Sequence, residues 1–326
     1  MSTVERPHLT PLLLKPAVSE RLTKQLREGL SSKPKWVSPT WLYDDTGNAL
    51  FEQITELPEY YLTRAECEIL NRRADNIAQM TAADTLIELG AGSTVKACTL
   101  LDAMRGVRPY RRYVPVDISA SALEMTERSV YLKCDGVDVQ PVLADFEEDL
   151  GFIPLSGRRL VALLGSTIGN LLPHERRSLL TGIRSRLAPR DALLLGLDLV
   201  KSEDILKPAY DDAAGVTGRF NLNVLNVLNT TFDGEFDPAQ FEHVALWNPT
   251  DKWVEMRLRS LTDQRLRLNA LDFEISFAEG EEMRTEISTK FEKAGVESEL
   301  HDAGFVPSTW WTDRSGRYAV SLSVAP

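Results

Sequence analysis

The sequence predicts an α/β fold: a parallel sheet covered by helices on both faces, with a second α+β region set into it. Apolar runs such as TLIELG (85–90) and ALLLGLDLV (192–200) lack the alternation of a half-exposed strand, and helical patterns separate them. After about residue 200, helical segments precede stretches that alternate polar and apolar residues. The chain ends in a helix and a hairpin-like pair, which we expect to return to the first sheet.

The first sheet is predicted from five strands separated by helices. Gly90 and the residues after it lead into a helix over about 94–105, Ser119 is placed to cap the next helix, and Pro173 suits the first turn of another. In chain order the strands are TLIELG (85–90), RYVPVD (112–117), VDVQPVLADF (137–146), RRLVALLGS (158–166) and ALLLGLDLV (192–200).

The second region is predicted to be discontinuous in sequence. Its later part contains the helical segment YDDAAGVTGRFNLNVLNVLN and the alternating stretches KWVEMRLRSL and RLRLNALDFEISF. Its earlier part contains the helical pattern SERLTKQLREGL and an aromatic-rich segment from Trp36 to Arg64, which we interpret as a loop. The predicted division is a Pro-rich tail over 1–18, a second, substrate-binding domain over 19–63 and 201–290, and the first domain over 64–200 and 291–326.

Composition narrows the classes of function. With 37 Lys and Arg against 48 Asp and Glu, the chain has a formal charge of −11 and no basic cluster, so we expect no nucleic-acid partner. No apolar run is long enough to span a membrane and the N-terminus does not have the pattern of a signal peptide, so we expect a cytoplasmic protein, and a monomer. The three cysteines and four histidines lack metal-ligand spacing, and no disulfide framework or metal site is expected.

A nucleoside-like cofactor is predicted at the carboxyl ends of the first strands. The turn 90–92 has the pattern Glu-x-Gly-x-Gly, and Val95 stands where a dinucleotide site would have its third glycine. Asp117 ends the second strand, where a carboxylate can bind ribose hydroxyls. Asp145 and Phe146 end the third, where they can accept from an adenine amino group and stack on its ring. Together these features match an S-adenosylmethionine site.

The sequence resembles the histidine-specific Nα-methyltransferases of ergothioneine biosynthesis over nearly its whole length. The resemblance implies a Rossmann-like class I methyltransferase sheet with a second, discontinuous α+β substrate domain. It also implies transfer of three methyl groups from S-adenosylmethionine to the α-amine of L-histidine, giving hercynine. The motifs that carry it are WLYDDTGNALFEQITELPEYYLTR, ELGAGSTVK, VPVDIS, ADFEEDL, LGSTIGNL, LLLGLDLVK, AYDDAAGVTGRFNLNVL, EHVALWN and GEEMRTEISTKF.

Site residues are implied by the same resemblance, position by position. Those of the cofactor site are Tyr60, Gly90, Lys96, Asp117, Asp145 and Phe146. Those of the substrate site are Asn170 and Tyr210 for the amino-acid backbone groups, Tyr43, Phe51 and Tyr60 for the aromatic wall near the amine, and Glu286, Ser288 and Met256 for the imidazole. The catalytic residues among them are Tyr43, Asn170 and Tyr210.

Methyl transfer suits these residue types. Displacement at a sulfonium needs orientation rather than a protein nucleophile, and aromatic faces stabilise the positive charge that moves onto nitrogen. The amine must first lose a proton, to water or through a tyrosine such as Tyr43. If TEISTKF is extended, Glu286 and Ser288 share one face and can serve both nitrogens of an imidazole.

Two other interpretations stay open at this stage. An N-methyltransferase of an indolic amino acid would share the architecture, although an indole has no second nitrogen for the pair Glu286 and Ser288. A non-catalytic regulator that binds S-adenosylmethionine would not need the acceptor-side residues. A nucleic-acid methyltransferase is disfavoured because GNLLP is not the Asn-Pro-Pro-aromatic motif.

Overall fold

A computed structural model describes residues 20–92 and 94–326, so the predicted tail over 1–18 lies outside the described residues, as does Ser19. The helices are α1 Glu20–Ser31, α2 Asp45–Glu56, α3 Leu62–Thr81, α4 Thr94–Arg105, α5 Ala120–Lys133, α6 Pro173–Arg186, α7 Glu203–Tyr210, α8 Val216–Phe232 and α9 Lys293–Asp302. The strands are β1 Lys35–Trp36, β2 Thr85–Leu89, β3 Arg112–Asp117, β4 Asp138–Val139, β5 Val142–Leu143, β6 Arg159–Leu163, β7 Ala192–Asp198, β8 Phe241–Asn248, β9 Trp253–Ser260, β10 Gln264–Leu268, β11 Phe273–Phe277, β12 Glu282–Thr289, β13 Val306–Thr312 and β14 Tyr318–Val324.

The large sheet has the strand order β13-β14-β7-β6-β2-β3-β4, and β5 also pairs with β3. β2, β3, β6 and β7 run parallel, whereas β14 runs antiparallel to β7 and β13 antiparallel to β14. The predicted α/β fold and the return of the C-terminal hairpin to this sheet are confirmed. Because the order reverses at β2, the crevice for a ligand lies at the carboxyl ends of β2 and its neighbours.

The third predicted strand is not one strand, which corrects the sequence interpretation. Residues 137–146 contain only the two short strands β4 and β5, each paired with β3. Gln140 and Pro141 separate them, and the proline nitrogen has no hydrogen to donate to the neighbouring strand. The chain nevertheless brings Asp145 and Phe146 to the same edge as the end of β3.

The small sheet has the order β1-β12-β9-β8, and the stretch 265–277 is folded into the separate hairpin β10–β11. β1 is parallel to β12, so residues near Lys35 join a sheet otherwise formed by residues 241–289. α8 contacts β8 and β9 of this sheet, and α2 contacts α8. The early and late segments therefore meet in one layer.

The segment from Trp36 to Arg64, interpreted from sequence as a loop, is mostly helical, so that interpretation is wrong. α2 begins where the Asp44 carboxylate accepts a hydrogen bond from the Gly47 amide at 2.7 Å. The same carboxylate accepts from the Asn223 side chain at 2.7 Å, which ties the start of α2 to α8. This helix presents Phe51 to the interior, where aromatic content had suggested only a loop.

The apolar core is continuous between the two sheets. One cluster of buried side chains includes Leu194 of the large sheet, Leu26 of α1, and Met256 and Met283 of the small sheet. A second cluster lies on the other face of the large sheet and includes Ile87. Since the two sheets share one core, the division into two domains stays a prediction.

Cys98 on α4 and Cys134 at the end of α5 form a disulfide, with Cα atoms 6.0 Å apart, and Cys67 is free. The sequence indicated no disulfide framework, and it did not reveal this single bridge. α4 and α5 are in contact, and a separation of 36 residues in sequence does not reveal this. Within residues 20–92 and 94–326, no helix is long and apolar enough to cross a membrane.

Candidate active site

The glycine turn follows β2 directly. Gly90 has a φ of +79°, in the left-handed region that favours glycine. The amides of Gly90 and Ala91 both donate to the Val116 carbonyl, at 2.9 and 3.2 Å, and so fix the turn against the end of β3. A Cβ at Gly92 would meet no atom within 4 Å, so the backbone here is open to a ligand.

Asp117 ends β3 beside this turn. Its carboxylate accepts a hydrogen bond from the Ser119 amide at 2.8 Å, within the cap of α5. Burial raises the pKa of Asp117 to about 6, although backbone amides, including that of Ala91, act against this shift. The remaining lone pairs of the carboxylate are available to accept hydrogen bonds from hydroxyl groups of a ligand.

Asp145 and Phe146 lie beyond β5. Phe146 borders a cleft of about 520 Å³ that Arg21 and residues of α6 also line. One Asp145 oxygen accepts from the Glu147 amide at 3.0 Å, and the other forms an ion pair with Arg21 of α1. Arg21 also approaches Glu147 at 3.4 Å. The side chain of Arg21 therefore borders the position predicted for adenine, a contact that sequence reasoning missed.

Lys96 is placed inside the protein, in contact with Glu66 of α3. Its Nζ lies 2.6 Å from a Glu66 oxygen. Burial opposes the charge of Lys96, but the Glu66 carboxylate outweighs it and raises the pKa of the lysine. Glu66 also accepts from the Gly165 amide at 2.9 Å and the Tyr318 hydroxyl at 2.8 Å. This network joins α3, α4 and the loop after β6 beneath the predicted cofactor position.

The three rings predicted for the aromatic wall lie together, with one further ring beside them. The ring centroid of Tyr43 lies 5.8 Å from that of Phe51, and that of Phe51 lies 6.1 Å from that of Tyr60. Phe220 of α8 completes the group at 5.4 Å from Tyr43 and 5.9 Å from Phe51. Tyr210 lies 6.5 Å from Tyr60, so the wall continues to the acceptor side.

Asn170 and Glu286 are brought together from the two sheets. Asn170 ends a short 3-10 helix after β6, and this helix contacts β12. Its side-chain amide donates to Glu286 at 3.1 Å. Burial raises the pKa of Glu286 to about 7, although the charge of Lys290 acts against this shift. Met256 is the cross-strand partner of Glu286 and is buried beside it.

Ser288 and Tyr210 meet over a buried lysine. Their hydroxyl oxygens lie 2.7 Å apart, and Nζ of Lys290 donates to Tyr210 at 2.7 Å and to Ser288 at 2.8 Å. The same ammonium lies 2.9 Å from an Asp198 oxygen at the end of β7. Burial lowers the pKa of Lys290, and the Asp198 carboxylate opposes this.

Electrostatic effects connect the two sides of the site. Burial raises the pKa of Tyr43 well above its usual value, and the next largest cause is the charge of Glu286. Burial also raises the pKa of Tyr60, and the next largest causes are Tyr210 and then the charge of Glu286. The predicted acceptor residues therefore lie close enough to the aromatic wall to act on it electrostatically, and together they outline the candidate acceptor space.

Sequence reasoning missed several residues that shape this space: Arg21, Glu66, Asp198, Phe220 and Lys290. For Lys290 a signal was present, because residues 286, 288 and 290 alternate as on one face of a strand. Arg21 and Glu66 reach the site from helices distant in sequence, and no local pattern marks them.

Comparison with known proteins identifies close relatives. The family model described as histidine-specific methyltransferase, SAM-dependent, matches residues 22–325. The chain is 48% identical over 308 residues to the histidine N-alpha-methyltransferase of Mycolicibacterium smegmatis, covering 94% of this chain and 96% of that protein. It is 47% identical over 302 residues to the protein of the same name from Mycobacterium tuberculosis, covering 93% and 94%. Ergothioneine biosynthesis protein 1 of Neurospora crassa is 31% identical over 205 residues, covering 60% of this chain and 23% of that protein.

Proposed function

Because this chain belongs to the family of histidine-specific, S-adenosylmethionine-dependent methyltransferases, we propose that it transfers three methyl groups to the α-amine of L-histidine. The product is hercynine, and the reaction is the first step toward ergothioneine. Relatives of 47–48% identity over more than nine-tenths of the chain support this substrate.

The observation that carries the proposal is the composition of the acceptor side. A carboxylate, a carboxamide and two hydroxyls, those of Glu286, Asn170, Ser288 and Tyr210, form two hydrogen-bonded pairs along β12, and Tyr210 also contacts the aromatic wall at Tyr60. An amino acid with a polar, two-nitrogen ring needs both a group that reads the ring and groups that hold the backbone. The four side chains supply both.

The residues at the carboxyl edge fit S-adenosylmethionine. The open backbone at Gly92, the carboxylate of Asp117 and the pair Asp145 and Phe146 offer a close backbone, a ribose acceptor and an adenine site. Tyr60 is assigned to both the cofactor and the substrate. Lys96 is paired with Glu66, and we propose that it supports the cofactor site through this ion pair. When bound, the cofactor supplies an electrophilic methyl group on a positively charged sulfur.

The chain's own residues orient the amine and face its developing charge. Asn170 provides two N–H donors and one oxygen, and Tyr210 a hydroxyl, so together they hold the carboxylate and the amine. Orientation of this kind is a major contribution to the rate of a two-substrate reaction. The wall of Tyr43, Phe51 and Tyr60 faces the positive charge that develops on nitrogen, worth about 0.5–2 kcal/mol per ring contact.

The α-amine must be neutral before it can attack. Burial raises the pKa of Tyr43, so this phenol keeps its proton near neutral pH. Tyr43 is therefore proposed to act as a proton relay. Its phenol accepts a proton from the amine while it donates its own proton to water, so that no phenolate is needed beforehand.

The second candidate is N-methylation of an indolic amino acid. An indole carries a single ring N–H, and it would leave part of the pair Glu286 and Ser288 without a partner, at about 1–3 kcal/mol per buried group. A regulator that only binds S-adenosylmethionine would show no turnover. We further propose that the protein is a cytoplasmic monomer that acts without a nucleic-acid or membrane partner.

One incubation separates these possibilities. The purified protein is given labelled S-adenosylmethionine and equal amounts of histidine, tryptophan, phenylalanine and lysine in one mixture. We expect label in methylated histidine alone, identified by mass spectrometry. Label in tryptophan would support the indolic substrate, and unlabelled amino acids with bound cofactor would support the regulator.

A further inference from the structure

Among the described residues, three groups lie within hydrogen-bond distance of the Lys290 ammonium, and together they account for its three hydrogens. A lysine ammonium has three N–H donors and no acceptor. Its Nζ lies 2.7 Å from the Tyr210 hydroxyl, 2.8 Å from the Ser288 hydroxyl and 2.9 Å from Asp198. Lys290 and Asp198 are fully buried, so this ion pair is shielded from water.

The two hydroxyl groups must each accept from Lys290. They also share one hydrogen between them, since their oxygens lie 2.7 Å apart. Two hydroxyl hydrogens are present, so one is used in this bond and the other is left for a ligand. A phenol is more acidic than an alcohol and is the better donor, which favours the arrangement in which Tyr210 donates to Ser288.

This arrangement assigns a direction to each hydroxyl. Ser288 then accepts from both Lys290 and Tyr210, and its own hydrogen is free to point toward the substrate. Tyr210 keeps an unused lone pair and can accept an N–H from the substrate amine. The reverse arrangement would leave Tyr210 as a donor to the amine lone pair, which must stay free for attack on the methyl group.

We propose that Lys290 is a positioning residue that fixes Ser288 as a hydrogen-bond donor to the substrate ring. This inference rests on the proposed function. Glu286 lies two residues away on the same face of the strand, about 6.6 Å along it, and as a carboxylate it accepts from the ring. The site therefore reads a neutral ring with one N–H, which meets Glu286, and one bare nitrogen, which meets Ser288.

Histidine analogues test the direction of the Ser288 hydrogen bond. The two thiazolylalanines replace one ring nitrogen or the other by sulfur and keep one bare nitrogen without N–H. The two pyrrolylalanines keep one N–H and have no bare nitrogen. Each is compared in the wild type and in Ser288→Ala, by kcat/KM, or by calorimetric affinity where turnover is too slow.

If Ser288 is a donor, Ser288→Ala lowers kcat/KM about tenfold for histidine and for one thiazolylalanine, and changes both pyrrolylalanines by less than about twofold. The opposite pattern would show that Ser288 accepts and would overturn the inference. Equal sensitivity of both ring types, insensitivity of both, or failure of both thiazolylalanines to bind the wild type would also overturn it. If the wild type does not methylate histidine, the proposed function itself fails.

Lys290→Met tests whether the lysine sets this direction. Without the ammonium, Ser288 can turn and either donate or accept. The preference for the better thiazolylalanine over the better pyrrolylalanine should then fall about tenfold, while affinity for S-adenosylmethionine stays within about twofold. Lys293→Met, which removes an exposed lysine of α9, should leave both unchanged. An unchanged preference in Lys290→Met would show that the lysine does not fix Ser288 as a donor and would overturn the proposal. If that variant fails to fold, the Ser288→Ala comparison alone decides whether Ser288 donates to the ring.

Discussion

At the scale of single residues, the site depends on a carboxylate that is held inside the protein. Glu286 is 8% exposed, and its partners are the Asn170 amide and the field of Lys290. The backbone groups of an amino acid are common to all candidate substrates, so Asn170 and Tyr210 cannot select among them. Selection is therefore assigned to Glu286 and Ser288.

Replacing Glu286 by Ala should lower kcat/KM for histidine by about 10²-fold, corresponding to about 2.7 kcal/mol, because the ring loses its charged acceptor. The preference for histidine over tryptophan should also narrow. Steady-state kinetics with both amino acids measure this. The matched control is Glu282→Ala, which removes a carboxylate paired with Arg257 and Arg259 at the other end of β12. Wild-type preference in Glu286→Ala would refute the assignment and point to Met256.

The same residue predicts a pH dependence of stability. The pKa of Glu286 rises from 4.5 to about 7 on folding, chiefly through burial. Between these values the native state holds a proton that the unfolded state lacks, so the free energy of unfolding falls as pH rises. Glu286→Gln removes this loss. The stability of the variant relative to wild type should grow by about 3 kcal/mol from pH 4.5 to above pH 7.

Urea unfolding at several pH values measures this difference. The other carboxyl groups with raised pKa values, Glu88, Asp117, Glu127 and Glu147, are present in both proteins and cancel in the comparison. A difference that does not change with pH would mean that burial does not raise the pKa of Glu286.

At the scale of elements, α2 positions the aromatic wall. Its first turn depends on Asp44, whose carboxylate accepts from the Gly47 amide and from Asn223 of α8. Asp44→Ala should destabilise the protein by about 1–2 kcal/mol. It should also raise KM for histidine several-fold, because Phe51 loses its fixed position.

Thermal unfolding and steady-state kinetics check the Asp44 prediction. Asp44→Asn is the matched control, since an asparagine oxygen can still cap the helix. Equal stability of the alanine variant and the wild type would show that the cap does not hold α2 in place.

The elements also show which features a sequence can predict. Gly90, Asp117 and Asp145 could be placed together because parallel strands end at one edge. α2 could not, since the aromatic-rich segment around it suggested a loop and its tie to α8 is distant in sequence. Lys290 could have been predicted from the same alternation that placed Glu286 and Ser288 on one face of a strand. The contacts of Arg21 and Glu66 could not, because they depend on how helices distant in sequence pack.

At the scale of the whole molecule, the two sheets contribute different halves of the proposed site. The large sheet supplies the glycine turn and Asp117, and the small sheet supplies Glu286 and Ser288. The apolar core shared by the two sheets holds these two groups of residues in fixed relative positions. Cofactor binding and substrate selection should therefore respond to separate substitutions.

Asp117→Ala should weaken binding of S-adenosylmethionine by about 1.5–3 kcal/mol, because a charged acceptor for the ribose is lost. Calorimetry measures the affinity. Asp138→Ala is the matched control, since this exposed carboxylate lies at β4, on the neighbouring strand. Cofactor affinity equal to wild type in Asp117→Ala would remove that residue from the site.

The central claim is that the acceptor site holds histidine with its α-amine toward the cofactor. The most direct test is to incubate wild-type protein with histidine and excess S-adenosylmethionine, and to locate the added methyl groups by tandem mass spectrometry. The account predicts trimethylated histidine with every added methyl on the α-nitrogen. Methyl groups on a ring nitrogen, or no methylation of histidine, would contradict it.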